Sequence, residues 1–176
     1  MATTIFEALD REHRAIETIL DLLERGVPED APWEFHTRVV DFLREFADRY
    51  HHAREEDILF PLMVERGVPR EDGPIGCMLA EHESGRRHVR NMKKAIEAQD
   101  RETFRVHASE FSDLLRAHII KEDRILYPMA RRVLTKKDQS ALVRQFAEID
   151  ATMVAERAHI SLADEVRASN SDAAAG

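Results

Sequence analysis

The sequence predicts an all-α fold: an up-down four-helix bundle with an additional C-terminal helix. Apolar residues recur at alternating steps of three and four along most of the chain, which is the helical period. The six Gly and six Pro gather in a few places, which favours long helices over many short strands. One polar motif occurs twice, so two similar helical hairpins are expected to pair into a bundle.

At 176 residues the chain is long enough to bury a sizeable core as one domain. Residues 1–134 are expected to form the bundle. Residues 135–168 are expected to form the C-terminal helix, packed on the bundle or at a dimer contact, and 169–176 a disordered tail.

Thr4-Ile-Phe-Glu7 reads as a capping box, so the first helix starts near residue 4 and ends at Gly26-Val27-Pro28. The second is expected from Asp30–Pro32 to about Arg66, where Gly67-Val68-Pro69 stops it. Asp72-Gly73-Pro74 opens the third, and Asp100 caps the fourth, over residues 101–133. Thr135 to Asp138 caps a fifth, with Leu142, Phe146, Ile149, Met153 and Ile160 facing inward. Pro61 and Pro128 lie late in the second and fourth helices and are expected to kink or end them.

Net charge is −8, which disfavours a nucleic-acid-binding face. No apolar run is long enough to cross a membrane. The N-terminus lacks the basic and apolar regions of a signal peptide. The single cysteine, Cys77, cannot form an internal disulfide and reads as a small core residue. Together these features predict a cytoplasmic protein.

The doubled motif is His-x-x-x-Glu-x-x-Ile-Leu-aromatic-Pro. It runs from His51 through Glu55 to Pro61, and again from His118 through Glu122 to Pro128. Each copy has an upstream partner, Glu12-His13 and Glu81-His82. On helix four the inward stripe reads Phe104, Ala108, Phe111, Leu115, His118, Glu122, Ile125, Met129. On helix two it reads Leu43, Ala47, His51, Glu55, Leu59, Leu62. His13 follows Leu9 and precedes Ile16 on one face, and His82 lies likewise between Met78 and Gly85. Six ionisable groups therefore point into an apolar interior.

An unpaired buried carboxylate costs several kcal/mol, on the order of a domain's whole stability. A His–Glu ion-pair network is one compensation. A metal centre is the better one, because it neutralises the carboxylates and uses neutral imidazole. Nitrogen and carboxylate ligands without thiolate suit iron, manganese or zinc. Two Glu are able to bridge two ions, with two His terminal on each. Such a set leaves coordination positions open for water, an oxo or hydroxo bridge, or a small ligand.

These motifs resemble the hemerythrin-like family, the HHE cation-binding domain, over about residues 5–133. The resemblance implies a four-helix bundle holding two non-haem iron ions. His13 and His51 would serve one iron and His82 and His118 the other, with Glu55 and Glu122 bridging. Oxygen-carrying hemerythrins have His-x-x-x-His on the third helix. Here Arg86 stands at the second position, and a guanidinium stays protonated and does not ligate. The carriers also place an Asp five residues beyond the last His, where this chain has Glu122 at four. Both departures shift the expected role from oxygen carriage to handling of peroxide, nitric oxide or oxygen, with Arg86 as a catalytic candidate that hydrogen-bonds a bridging carboxylate or a bound peroxide.

Tyr50 is a candidate additional ligand if helix two is rotated from this register. His52 points about 100° from His51 on an α-helix and is not expected to ligate, and Glu56 is expected in the surrounding shell or in solvent. Glu17 reads as an exposed partner, His36, His88, His107 and His159 as surface groups, and Trp33 as packing over a loop. The leading functional expectation is a di-iron oxidoreductase, catalase-like toward peroxide. The alternatives are an oxygen, nitric oxide or iron sensing module without turnover, and an iron donor for repair of iron centres.

Overall fold

The structure is a computed structural model that describes residues 4–25 and 31–152. The expected helix stop at Gly26-Val27-Pro28, the inward positions Met153 and Ile160, His159 and the tail 169–176 lie outside the described residues. The fold class is the one the sequence predicts. Four helical rods form the bundle and a further helix follows.

The first rod is α1 (Ile5–Arg25). Its capping box is formed: Glu7 N donates to Thr4 Oγ1 at 3.2 Å, and Thr4 N donates to Glu7 Oε2 at 2.8 Å. The second rod begins as α2 (Trp33–Phe42), one residue past Pro32, passes through π-helical turns at Leu43–His52 and Glu55–Leu59, and ends as α3 (Phe60–Glu65). The third is α4 (Pro74–Glu97). The fourth is α5 (Arg101–Lys121), a π-helical turn at Glu122–Leu126, and α6 (Tyr127–Val133). The last helix is α7 (Lys136–Thr152).

The ends of the rods follow from local chemistry. Gly67 takes φ +93°, and Val68 N donates to Met63 O at 3.0 Å while Gly67 N donates to Val64 O at 2.9 Å. This is a Schellman stop, sealed by buried Val68. Gln99 repeats it at φ 53°, with Asp100 N on Ala95 O at 2.9 Å. Asp100 Oδ1 then accepts from Thr103 N at 3.0 Å and caps α5, which makes the α4–α5 connection tight.

Pro61 and Pro128 neither end their rods nor stand alone. Each follows a π-helical turn, in which Phe60 N donates to Glu55 O and Tyr127 N donates to Glu122 O. A wider turn before the proline is one way for a helix to absorb its missing N–H. The wide turn also shifts the inward stripe. Ile125, expected inward, is 52% exposed, and Leu126 is buried in its place. On the second rod Met63 is buried where Leu62 was expected, and Leu62 lies half-buried at the margin.

The core divides into two apolar clusters. One contains Ile16, Leu20, Phe46, Val89, Phe111 and Leu115. The other contains Phe6, Leu9, Leu59, Phe60, Met78 and Leu126, with Leu142 and Phe146 of α7 packed into it. Along every rod the motif residues fall between the two. Each large apolar side chain buried in these clusters contributes roughly 1.5–3 kcal/mol. The polar layer between them is therefore held in place by apolar packing on both sides. Cys77, expected in the core, is exposed beside Glu81. His36, expected at the surface, is buried, with Nδ1 at 3.1 Å from Pro32 O and its ring edge-on to Phe104.

Candidate metal centre

His13, His51, Glu55, His82, His118 and Glu122 meet in the layer between the two clusters, and all six are buried. His13 Nε2 lies 3.1 Å from His51 Nε2, and His82 Nε2 lies 2.9 Å from His118 Nε2. Glu122 spans the two pairs, with Oε2 3.2 Å from His13 Nε2 and Oε1 3.1 Å from His118 Nε2. Glu55 Oε2 lies 3.8 Å from His51 Nε2 and 3.6 Å from His82 Nε2. Ligand-capable atoms of His13, His51 and Glu122 lie within 4.8 Å of one another, as do those of Glu55, His82, His118 and Glu122.

The four imidazoles are aimed by carboxylates behind them. His51 Nδ1 is 2.9 Å from Glu12 Oε2, and His118 Nδ1 is 2.9 Å from Glu81 Oε2. His13 Nδ1 is 2.9 Å from Asp123 Oδ1, and His82 Nδ1 is 2.6 Å from Glu56 Oε1. The acid before each upstream His thus holds the motif His of its own half. The acid after each motif Glu holds the upstream His of the other half. Each carboxylate meets a cation in turn: Arg54 on Glu12, Lys121 on Glu81, Arg14 on Asp123, Arg86 on Glu56. A carboxylate on Nδ1 fixes the tautomer and presents the Nε2 lone pair inward, which is the usual support of a metal-bound imidazole.

The electrostatics describe a site short of positive charge. Burial opposes charge on His13, but the Asp123 and Glu122 carboxylates outweigh it and push it up to about 9. His118 is likewise pushed up to about 9 by Glu122 and Glu81 against burial. Burial and the Glu122 charge hold Glu55 well above the usual carboxylate range. The buried oxygens Glu55 Oε2, Glu122 Oε1 and Glu122 Oε2 have only imidazole nitrogens near them, and no hydrogen bond of good geometry reaches any of the three. Leaving such acceptors unsatisfied costs about 1–3 kcal/mol each, more when charged. Bound cations would satisfy all three and displace the imidazole protons, so the residues present fit metal ions.

Arg86 hydrogen-bonds neither Glu55 nor Glu122. Its Nε donates to Asp48 Oδ1 at 2.7 Å and its Nη2 to Glu56 Oε1 at 2.7 Å, so it acts on His82 through Glu56. Tyr50 turns its hydroxyl to Arg54, beneath the Arg54 guanidinium, which stacks 3.8 Å over its ring. Glu17 pairs with Arg14 at 2.6 Å, away from the imidazoles.

Two residues that sequence reasoning did not assign to the site are at its centre. Tyr127 is buried, donates from its hydroxyl to Glu55 Oε1 at 2.6 Å, approaches His13 Nε2 to 3.3 Å, and stacks on the His13 ring. The signal was available: it is the aromatic of the second motif, and its counterpart Phe60 stacks on His82. His52, expected to face away, is buried with its ring 3.8 Å from that of His82 at an interplanar angle of 14°. The π-helical turn that ends on His52 brings it inward beside His51.

Fold and site together define a helical-bundle protein with a buried histidine–carboxylate cluster able to hold metal. Residues 4–130 match the family model of the hemerythrin HHE cation binding domain. The chain belongs to that family. Neither curated proteins nor solved structures gave a significant match.

Proposed function

We propose that this chain holds two non-haem iron ions between its four imidazoles and two carboxylates and uses them to handle a small oxidant, hydrogen peroxide foremost. One observation carries the dinuclear reading: three buried carboxylate oxygens that no well-formed hydrogen bond reaches face four Nε2 atoms whose opposite nitrogens are all anchored on carboxylates. His13 and His51 would hold one ion, His82 and His118 the other, with Glu122 reaching both pairs and Glu55 lying between His51 and His82.

Paired irons at such a site supply Lewis acidity and reversible redox change next to a bound small ligand. The protein supplies the rest. Tyr127 keeps its proton, because burial and the Glu122 and Glu55 charges raise it well above the usual phenol range, and so it orients Glu55 as a donor. The apolar clusters on either side exclude bulk water. A cavity of about 220 Å³ between Leu43–His52 and α4 runs from Arg44, Arg49 and Arg90 past Gly85 and Phe111 to His52. It has the size to admit a small molecule to the His82 side. Among the described residues no helix is long and apolar enough to cross a membrane.

The test is metal analysis of protein purified without chelator, then oxygen evolution from peroxide. Two irons per chain and evolution that is lost in His118→Ala support the reading. Iron-loaded protein that evolves no more oxygen than free iron, yet changes colour reversibly with nitric oxide or oxygen, reassigns the centre to binding without turnover.

A further inference from the structure

A second histidine–carboxylate cluster lies on the α4–α5 face, outside the buried centre. His88 comes from α4, and His107 and Glu110, three apart and hence neighbours on one helix face, come from α5. His88 Nδ1 lies 3.4 Å from His107 Nδ1. Glu110 Oε2 lies 3.5 Å from His88 Nδ1 and 3.4 Å from His107 Nδ1. The three atoms make a nearly equilateral triangle.

All three contacts are long for hydrogen bonds. The edges of the triangle exceed the roughly 2.7–3.2 Å of ordinary N–H···O bonds. Two ring nitrogens of the same kind also converge on one point, where at most one gains by donating to the other. A tetrahedral ion with bonds of about 2.0–2.1 Å, by contrast, spaces its ligands about 3.3–3.4 Å apart. The edges match that figure. Both rings are half-buried, at 16% and 24% side-chain exposure, while Glu110 is 55% exposed, so a fourth position would face solvent.

We propose that His88, His107 and Glu110 form a separate mononuclear site for a divalent cation of the zinc, copper or nickel class, with water at the fourth position. Two imidazoles and one carboxylate select those ions over magnesium or calcium, which prefer all-oxygen shells. The site is distinct from the buried centre. His88 lies six residues beyond His82 on α4, about 9 Å along the axis, and His107 lies eleven before His118 on α5, about 16 Å. It joins α4 to α5, which already pack through Val89, Met92, Phe104 and Phe111, so the ion would act as a further clip on that hairpin.

The test compares zinc binding by the full chain as purified with that by the His88→Ala/His107→Ala double variant. The difference between the two does not depend on what fills the buried centre. The expected result is one more zinc per chain in the wild type, bound at least about 100-fold tighter than any residual zinc in the double variant. Glu110→Gln, which is exposed and leaves the fold intact, is expected to weaken that extra zinc about tenfold or more. Equal zinc stoichiometry and affinity in wild type and double variant overturns the site. An unchanged affinity in Glu110→Gln overturns the three-ligand set.

Discussion

The hydroxyl of Tyr127 donates to Glu55 Oε1 at 2.6 Å, and nothing equivalent exists in the other half of the centre, where Phe60 supplies only a ring against His82. The duplicated motif is thus chemically asymmetric at its aromatic position. Tyr127→Phe removes the donor and leaves Glu55 Oε1 buried and unsatisfied. In metal-free protein this should lower unfolding free energy by about 1–3 kcal/mol. In metal-loaded protein the loss should be smaller, because the ion compensates the carboxylate. Denaturant unfolding of both forms measures the difference, and an equal loss in the two would show that Glu55 does not meet the metal.

The carboxylates behind His51 and His118 occupy matched places in the two halves. Glu12→Gln and Glu81→Gln should each lower metal affinity by about 10–100-fold without removing a ligand. Glu12 should be the more costly of the two to replace. It is 9% exposed against 18% for Glu81, and its replacement removes the carboxylate charge facing the buried Arg54, whereas Lys121 is able to turn to solvent. Chelator competition with each variant reads the affinities.

Most of the fold was legible because helical periodicity and capping are local. Thr4 and Glu7, Asp100 and Thr103, and Thr135 and Asp138 cap as their sequence says. The six inward polar residues were legible because they interrupt apolar seams. The π-helical turns were not read. Their extra residue moves Leu126 inward in place of Ile125 and turns His52 into the interior. Yet the steps of four from Leu43 through Ala47, His51, Glu55 and Leu59 to Met63 carried the hint, since an α-helical face drifts over such a run. The acids Glu12, Glu56, Glu81 and Asp123 stood beside His13, Glu55, His82 and Glu122, but which imidazole each supports is a long-range fact.

Gln99 is exposed and held at φ 53° in the stop between α4 and α5. A side chain with a Cβ pays roughly 1 kcal/mol for that conformation. Gln99→Gly should therefore stabilise the chain by about 0.5–1 kcal/mol, net of the added freedom of the unfolded state. Thermal unfolding would register this as a rise in Tm, and a fall would mean that the turn is not populated in solution.

α7 is tethered by Asp138, whose Oδ1 accepts from Arg66 Nη2 at 2.6 Å and whose Oδ2 accepts from Thr135 N at 2.9 Å. The Arg66 guanidinium first, then Thr135, holds the carboxyl well below the usual carboxylate range. A carboxyl depressed on folding contributes stability that is present above its unfolded value of about 3.9 and lost as pH falls through its folded value. Hydrogen exchange in α7 should therefore accelerate relative to the bundle as pH drops below about 4, after correction for the intrinsic rate. In Asp138→Asn that acid-dependent excess should vanish.

His52 tests how the centre is closed. Its ring lies parallel to His82 and forms the inner end of the cavity that opens between Leu43–His52 and α4. In the observed pose His52 covers one face of the His82 ring. His52→Ala should join the cavity to the centre and let a chelator strip the metal about tenfold faster or more, with a smaller change in equilibrium affinity. His52→Phe keeps a flat ring over His82 and should leave the stripping rate near that of wild type. Ligand-capable atoms of His52, His82 and His118 also lie within 4.8 Å of one another, so a rotated His52 would supply a third imidazole to that ion. In that arrangement Ala and Phe would weaken the metal alike. A rate that separates the two variants assigns His52 to gating, and an affinity that falls equally in both assigns it to the ligand set.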